Sequence, residues 1–191
     1  VTAVLASYRG FDTMGEVFVV FAAGLGVALL IGLGESKRRR GKPMMSPHVI
    51  LRVVAKVLIP MIIVYGFYVH FHGEYSPGGG FQAGVVLASA IILYALIFGL
   101  DAARKVFPPY WARVGMALGG FIYASVGFVS LMMGGQFLEY TVFHPDISHG
   151  TGQHIGIIAV EVGVLTTVTC VMIAIFYAFA GRTPEISDED W

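Results

Sequence analysis

The chain has 191 residues, of which 57% are hydrophobic and only 13% are charged, and its mean hydropathy is +0.78. Soluble domains carry roughly 25% charged residues, so this composition indicates an integral membrane protein. The formal net charge is zero, which argues against a nucleic-acid-binding protein. The single cysteine, Cys170, excludes an internal disulfide framework or a thiolate metal site.

Five stretches of the chain are long and apolar enough to cross a bilayer, which requires about 20 apolar residues per helix. We therefore predict an all-α integral membrane fold with five transmembrane helices. The predicted spans, in chain order, are Thr13–Leu33, Val49–Val69, Phe81–Leu100, Val114–Met133 and His154–Phe179.

The positions of the Lys and Arg residues predict the orientation of these spans. Of the 12 basic residues, all except Arg9 fall on one side of the predicted membrane. This side is expected to be cytoplasmic, which places the N-terminus outside and the C-terminus in the cytoplasm. We expect four regions: a one-helix segment (1–35), a basic cytoplasmic linker (36–48), a four-helix membrane domain (49–181) and an acidic cytoplasmic tail (182–191).

A glycine-rich stretch, Ser76–Gly84, reads S-P-G-G-G-F-Q-A-G and separates the second span from the third. Glycine allows another helix to approach closely, and small residues spaced by four are typical of packed membrane helices. The pattern predicts a packed turn on the outer side, although irregular backbone can also border an ion path. The turn and packing residues are Pro77, Gly78, Gly79, Gly80 and Gly84. The same spacing recurs at Gly115 with Gly119 and at Gly152 with Gly156.

Glu161 is the only charged residue of the fifth span, and six residues lie between it and the predicted start at His154. A carboxylate inside a membrane must pair, be hydrated or take up a proton, and such residues are functional by default. His154 lies seven residues earlier on the same helical face. Together they predict a short polar track from the outer surface, unless Glu161 only forms a structural hydrogen bond to a neighbouring helix.

Asp12 and Glu16 lie one helical turn apart at the outer start of the first span. Acidic residues near a helix N-terminus are ordinary capping and dipole partners, and Asp12 fits the N-cap position. Glu16 lies one turn deeper, which makes it a candidate for an ion or proton path.

The predicted outer loops contain acidic residues, including Glu74 and Glu139, and most of the histidines. Such a mixture attracts cations and exchanges protons. A metal site is the alternative interpretation of the histidines at 70, 72, 149 and 154. We find no nucleophile elbow, dinucleotide fingerprint or haem motif, so we expect neither an enzyme active site nor a cofactor.

Two strings resemble a known family. His72–Gly84, H-G-E-Y-S-P-G-G-G-F-Q-A-G, is similar to the signature of the B subunit of the multisubunit Na+/H+ antiporters (Mrp/Mnh type), and the likeness extends over about Pro43–Ala180, with E-V-G-V at Glu161–Val164. Tyr8–Glu16, Y-R-G-F-D-T-M-G-E, resembles the end of the antiporter's large A subunit. The chain thus resembles a fusion of the A-subunit tail with the B subunit. Similar small subunits occur in membrane-bound hydrogenases.

The resemblance implies a helical subunit of a complex that exchanges Na+ or another cation for H+. Its partners are then other membrane subunits, the bilayer lipids and the transported ions. Two alternatives stay open, the equivalent subunit of a redox-driven complex and a purely structural packing subunit. The family pattern usually has a histidine where this chain has Glu74, which leaves the role of that histidine in question.

Overall fold

The computed structural model describes residues 3–31, 49–75, 77–144 and 150–181. Within these ranges the protein is helical and contains no strand, and five helices are long and apolar enough to cross a membrane. The predicted fold class is therefore confirmed. The predicted basic linker (36–48) and acidic tail (182–191) lie outside the described residues.

The five long helices follow the predicted order. Three short helices that were not predicted accompany them: a π-helix, a 3-10 helix and the α-helix α4. A π-helix (Ala3–Tyr8) precedes the first span, and a 3-10 helix (Tyr140–Phe143) precedes the last. The α-helices are α1 (Gly10–Ile31), α2 (Val49–His72), α3 (Gly80–Phe98), α4 (Leu100–Val106), α5 (Pro109–Met132) and α6 (Thr151–Ala180).

Several helices begin earlier or end later than hydropathy predicts, because their terminal turns carry polar or aromatic residues. The helix α5 begins at Pro109, five residues before the predicted start, and proline is favoured in the first helical turn because its φ angle is preset. The helix α2 continues past Val69 to His72, and α6 begins at Thr151 instead of His154. The extra turn of α2 brings His70 into that helix, and the earlier start of α6 places His154 at its fourth residue instead of its first.

The last helix, α6, is the centre of the bundle and packs against α5, α3 and α1. Its most apolar stretch is 61% buried, compared with 11% for α1 and for α2. Glycines on α6 and on the helices around it allow this close packing. The helix α2 lies at the edge of the bundle and packs mainly on α3, so most of its surface faces lipid or a partner.

The seam between α5 and α6 is built on glycine. A β-carbon on Gly163 of α6 would lie 2.8 Å from the carbonyl oxygen of Gly119 on α5. A β-carbon on Gly119 would in turn collide with Thr167, and one on Gly115 would collide with the sulfur of Cys170. The two backbones are therefore in direct contact, as the spacing of Gly115 and Gly119 predicts.

The turn before α3 is packed. Gly78, Gly79 and Gly80 are buried, and Gly79 has a φ angle of 136°, a conformation that side-chain-bearing residues rarely adopt. A turn further along α3, a β-carbon on Gly84 would lie 2.9 Å from the β-carbon of Val168 on α6. The hydroxyl of Thr169 donates a hydrogen bond of 3.2 Å to the Gly84 carbonyl oxygen.

The start of the chain is tied to the bundle by tyrosine hydroxyl groups. Tyr140 donates a hydrogen bond of 2.7 Å to the carbonyl oxygen of Ala6, and Tyr123 donates one of 2.7 Å to that of Gly10. The predicted lead-in segment thus packs against α6 and the 3-10 helix. The start of α1, the turn before α3 and the start of α6 consequently share one end of the bundle, which we call the turn end. Its outward orientation stays a prediction.

Candidate ion and proton site

Glu161 is buried in α6, with only 8% of the residue exposed. It lies ten residues after the start of α6 at Thr151, about 15 Å along the axis at 1.5 Å per residue. The predicted depth of six residues is wrong, because the helix begins before the apolar stretch does. The carboxylate consequently lies well inside the bundle.

The amide group of Gly80 donates a hydrogen bond to Oε2 of Glu161. Gly80 is the first residue of α3, and its N-cap, Gly79, provides no side-chain acceptor. The N-terminal turn of a helix has unpaired N–H groups and a partial positive charge, both of which favour a carboxylate. Glu161 therefore caps the N-terminus of α3 from another helix. The structural hydrogen bond to a neighbouring helix, which was one of the two interpretations of Glu161, is thus present.

A cleft of about 210 Å³ lies between α1, α3 and α6, and Glu161 forms part of its wall. The other polar side chains of the wall are Thr13, Glu16 and Gln82, and the backbone of Gly78–Gly80 completes it. Hard cations prefer oxygen ligands, which the two carboxylates and the backbone can supply. The cleft can thus admit several water molecules or a partly hydrated monovalent cation.

A second, smaller cavity touches Glu161 from the side of α2. Its volume is about 20 Å³, and its walls include His70, Glu74 and Ile158. A cavity of roughly 10–15 Å³ on this measure holds one water molecule. Glu161 therefore separates a large cleft from a water-sized cavity.

Glu74 and His154 are paired at the turn end. Oε2 of Glu74 lies 2.5 Å from Nδ1 of His154, which joins the turn after α2 to the first helical turn of α6. The prediction that His154 and Glu161 share a polar track along one face of α6 is not what the structure shows, because His154 turns to Glu74. The side chain of Glu74 reaches the small cavity, however, and so connects the pair to Glu161 by a different route.

Glu16 lines the cleft, but Asp12 does not. Asp12 is the third residue of α1 and forms an exposed ion pair of 2.8 Å with Arg9. The interpretation of Asp12 as the N-cap is wrong, because the helix begins two residues earlier, at Gly10. One turn of helix thus separates a solvent-facing carboxylate from one that faces the cleft.

Glu139 also lies outside both cavities. It accepts hydrogen bonds from the amide of Gln136 (2.7 Å) and from the hydroxyl of Thr141 (3.0 Å). These two hydrogen bonds stabilise its charged form and lower the pKa of its carboxyl group. Its observed contacts are those of a local turn.

The histidines named for the alternative metal site do not form a cluster among the described residues. His70 is buried in α2, whereas His72 is exposed and stacks on the ring of Tyr68. His154 pairs with Glu74, and His149 lies outside the described residues. No group of three His, Cys, Asp or Glu residues in the described part of the chain is arranged to hold a metal ion.

Sequence reasoning placed His70 in an outer loop, as a candidate metal ligand, and missed it as a buried residue of α2, because the predicted span ends at Val69. The buried residues of α2 are Ala55, Ile59, Gly66 and His70. Their spacings of 4, 7 and 4 place them on one helical face. The part of this stripe that the sequence shows is its two small residues, Ala55 and Gly66, and small residues mark helix-packing faces in membranes. Gln82 and Thr13 were also missed, and their polarity alone gave no such signal.

Comparison with known proteins agrees with this architecture. Residues 50–174 match a family described as "Domain related to MnhB subunit of Na+/H+ antiporter". A protein of Staphylococcus epidermidis described as an antiporter subunit, mnhB2, is 31% identical over 142 residues, which cover 72% of this chain and 98% of that protein. The mnhB2 protein of Staphylococcus haemolyticus is 32% identical over 139 residues, with the same coverage.

Two solved structures are similar over nearly the whole chain. One belongs to the membrane-bound sulfane sulfur reductase, an archaeal respiratory membrane complex, with 32% identity, a TM-score of 0.68, and coverage of 91% of this chain and 75% of that one. The other belongs to the Mrp complex of Dietzia sp. DQ12-45-1b, with 26% identity and a TM-score of 0.72. It covers 98% of this chain, which spans 21% of the Dietzia chain. The protein described here is a multi-pass membrane protein and belongs to the family of domains related to the MnhB subunit of Na+/H+ antiporters.

Proposed function

We propose that this protein is a membrane subunit of a multisubunit antiporter complex that exchanges Na+, or another monovalent cation, for H+. It works together with other membrane subunits and catalyses no chemical reaction of its own. The observation that carries the proposal is the position of Glu161, a buried carboxylate between a cleft of about 210 Å³ and a cavity of about 20 Å³.

A single carboxylate can couple the two ions because it binds either a proton or a cation. A charge inside a membrane is costly and has to be compensated. The N-terminus of α3 compensates the charge of Glu161 only partly, through the Gly80 amide and the helix dipole. Full compensation therefore comes from a bound cation or from protonation, and binding of one displaces the other.

The cleft depends on two regions of the chain. Glu16 comes from the one-helix segment (1–35), which we propose to be equivalent to the A-subunit tail, and Glu161 comes from the four-helix domain (49–181). The family match begins at residue 50, whereas the Dietzia match also includes the first helix. We propose that the turn end faces outside, so the cleft opens on that side.

A second candidate function is the equivalent role in a redox-driven complex. The observation that favours it is the 32% identity to a chain of the membrane-bound sulfane sulfur reductase. Purifying the intact complex through this subunit distinguishes the two. Co-purifying iron–sulfur or quinone-reactive subunits indicate a redox-driven complex, and their absence from an active complex indicates an antiporter.

The proposed function is tested by withholding the subunit. The complete complex, and the complex without this chain, are expressed in bacteria that lack their own antiporters. Na+ is then added to inside-out membrane vesicles that hold a pH gradient. We expect Na+ to dissipate the gradient only with the complete complex. Equal dissipation without this chain, with the other subunits still assembled, would contradict the proposal.

A further inference from the structure

His70 is a buried polar residue that the cation site does not use. Only 7% of the residue is exposed, and Nδ1 has no hydrogen-bond partner among the described residues. An unpaired buried nitrogen of this kind is unfavourable, so such groups normally bind an ordered water molecule. His70 lines the cavity of about 20 Å³ that also touches Glu74 and Glu161, which has room for one.

The ionisable groups around this cavity come from two directions. Glu74 lies on the turn after α2 and is paired with His154 of α6, while Glu161 lies deeper on α6. The third helix nearby, α3, contains no Asp, Glu, Lys, Arg or His residue. The cavity therefore lies between an acid–imidazole pair at the turn end and the buried carboxylate, with His70 in its wall.

We propose that His70 and one water molecule form a proton relay between the Glu74–His154 pair and Glu161, separate from the cleft that admits the cation. This inference rests on the proposed function. The inference adds separate routes for the two ions to that function. Protons reach Glu161 from the α2 side, and the cation reaches it from the side of α1 and α3. A water-sized cavity excludes a hydrated cation, whereas a proton needs only a chain of hydrogen bonds.

The transfer moves a proton and no electrons. An imidazole has two ring nitrogens, one of which accepts a proton while the other donates one. A proton arriving from the Glu74–His154 pair binds one nitrogen of His70, and the other nitrogen releases its proton to the water molecule. The water passes a proton to the carboxylate of Glu161, which becomes a carboxylic acid and releases its cation into the cleft.

The relay is tested with His70→Gln in the assembled complex, measuring Na+-dependent proton movement in inside-out vesicles across a pH series. Glutamine keeps hydrogen-bonding atoms but does not titrate. We expect exchange to fall by about 100-fold or more, the scale of a lost proton-transfer group. The pH dependence of the remaining exchange should also change. The matched control is His72→Gln two residues away, where the exposed side chain makes no cavity wall and exchange should match the unmodified complex.

A second variant keeps the test decisive if His70→Gln fails to assemble. Ile158 lines the same cavity and is 37% exposed, so Ile158→Phe fills the water space and leaves His70 in place. We expect the same loss of exchange. Exchange at the unmodified rate in either assembled variant would overturn the relay. Failure of the proposed function is distinguishable, because exchange would then survive removal of the whole chain.

Discussion

The contacts that α6 makes with α5 and with α3 both depend on glycine, but they have different consequences. At the α5–α6 seam, Gly119 and Gly163 bring two uninterrupted helices into backbone contact. At the α3–α6 contact, Gly80 is the first residue of a helix, so the approach aims an unpaired N–H group at Glu161. The first contact closes the bundle, and the second leaves a cleft beside a carboxylate.

This difference shows that the same spacing of small residues supports either packing or a site, depending on where a helix begins. Mid-helix amides are already hydrogen-bonded, so a glycine there offers only space. The amides of the first turn are free to bind a charged group. The Pro77–Gly80 turn creates such a terminus deep enough to meet Glu161.

The largest effect on assembly is expected from adding a side chain at the α5–α6 seam. In Gly119→Ala the new β-carbon would collide with Thr167 and with the Gly163 carbonyl oxygen. Overpacking of this kind costs about 1–3 kcal/mol or more, so less subunit should be recovered in the complex. The matched control is Gly120→Ala, which is buried but has open space at its β-position. Equal recovery of both variants would contradict the packing role of the seam.

A smaller effect on stability is expected where a tyrosine of α5 is hydrogen-bonded to the start of α1, the helix that forms one side of the cleft. In Tyr123→Phe the hydrogen bond to the Gly10 carbonyl oxygen is lost. A buried hydrogen bond contributes about 0.5–1.5 kcal/mol, so the melting temperature of the complex should fall slightly while exchange is largely kept. Loss of assembly in Tyr123→Phe would contradict this prediction, because it would mean that this one hydrogen bond is essential for the fold.

The smallest effect is expected at Glu139, an acid outside both cavities. Hydrogen bonds lower its pKa in the folded protein, so they stabilise the local turn above the usual pKa of glutamate, and this contribution disappears as the pH falls through the lowered value. In Glu139→Gln, hydrogen exchange should increase in residues 136–141 at neutral pH, with little difference in strong acid. Ion exchange should be unchanged, and its loss would place Glu139 on the path.

The number and type of spans were predictable because each crossing of a bilayer requires a long apolar helix. With only 13% charged residues, the chain has few charges, so the apolar stretches stand out clearly in the sequence. Glu161 could be singled out for the same reason, as the one charge in the last span. Close packing was predictable from the glycine spacing, because the spacing of small residues along one helix can be read directly from the sequence.

The partners of these residues could not be predicted, since they depend on the register between helices. Gly80 and Glu161 are 81 residues apart in the chain, and Glu74 and His154 are 80 apart. Sequence periodicity places a residue on a face of its own helix but does not say which helix meets that face. His154 was accordingly assigned to Glu161, although it contacts Glu74.

The most direct test of the account is exchange by the assembled complex with Glu161→Gln. Glutamine retains an oxygen that can accept the Gly80 hydrogen bond, so the cap on α3 and the packing are kept while the charge and the titratable group are removed. We predict normal assembly with exchange reduced by about 100-fold or more, the scale of a lost proton-transfer group. Normal assembly with exchange at the unmodified rate would show that Glu161 is only a packing residue and would contradict the account.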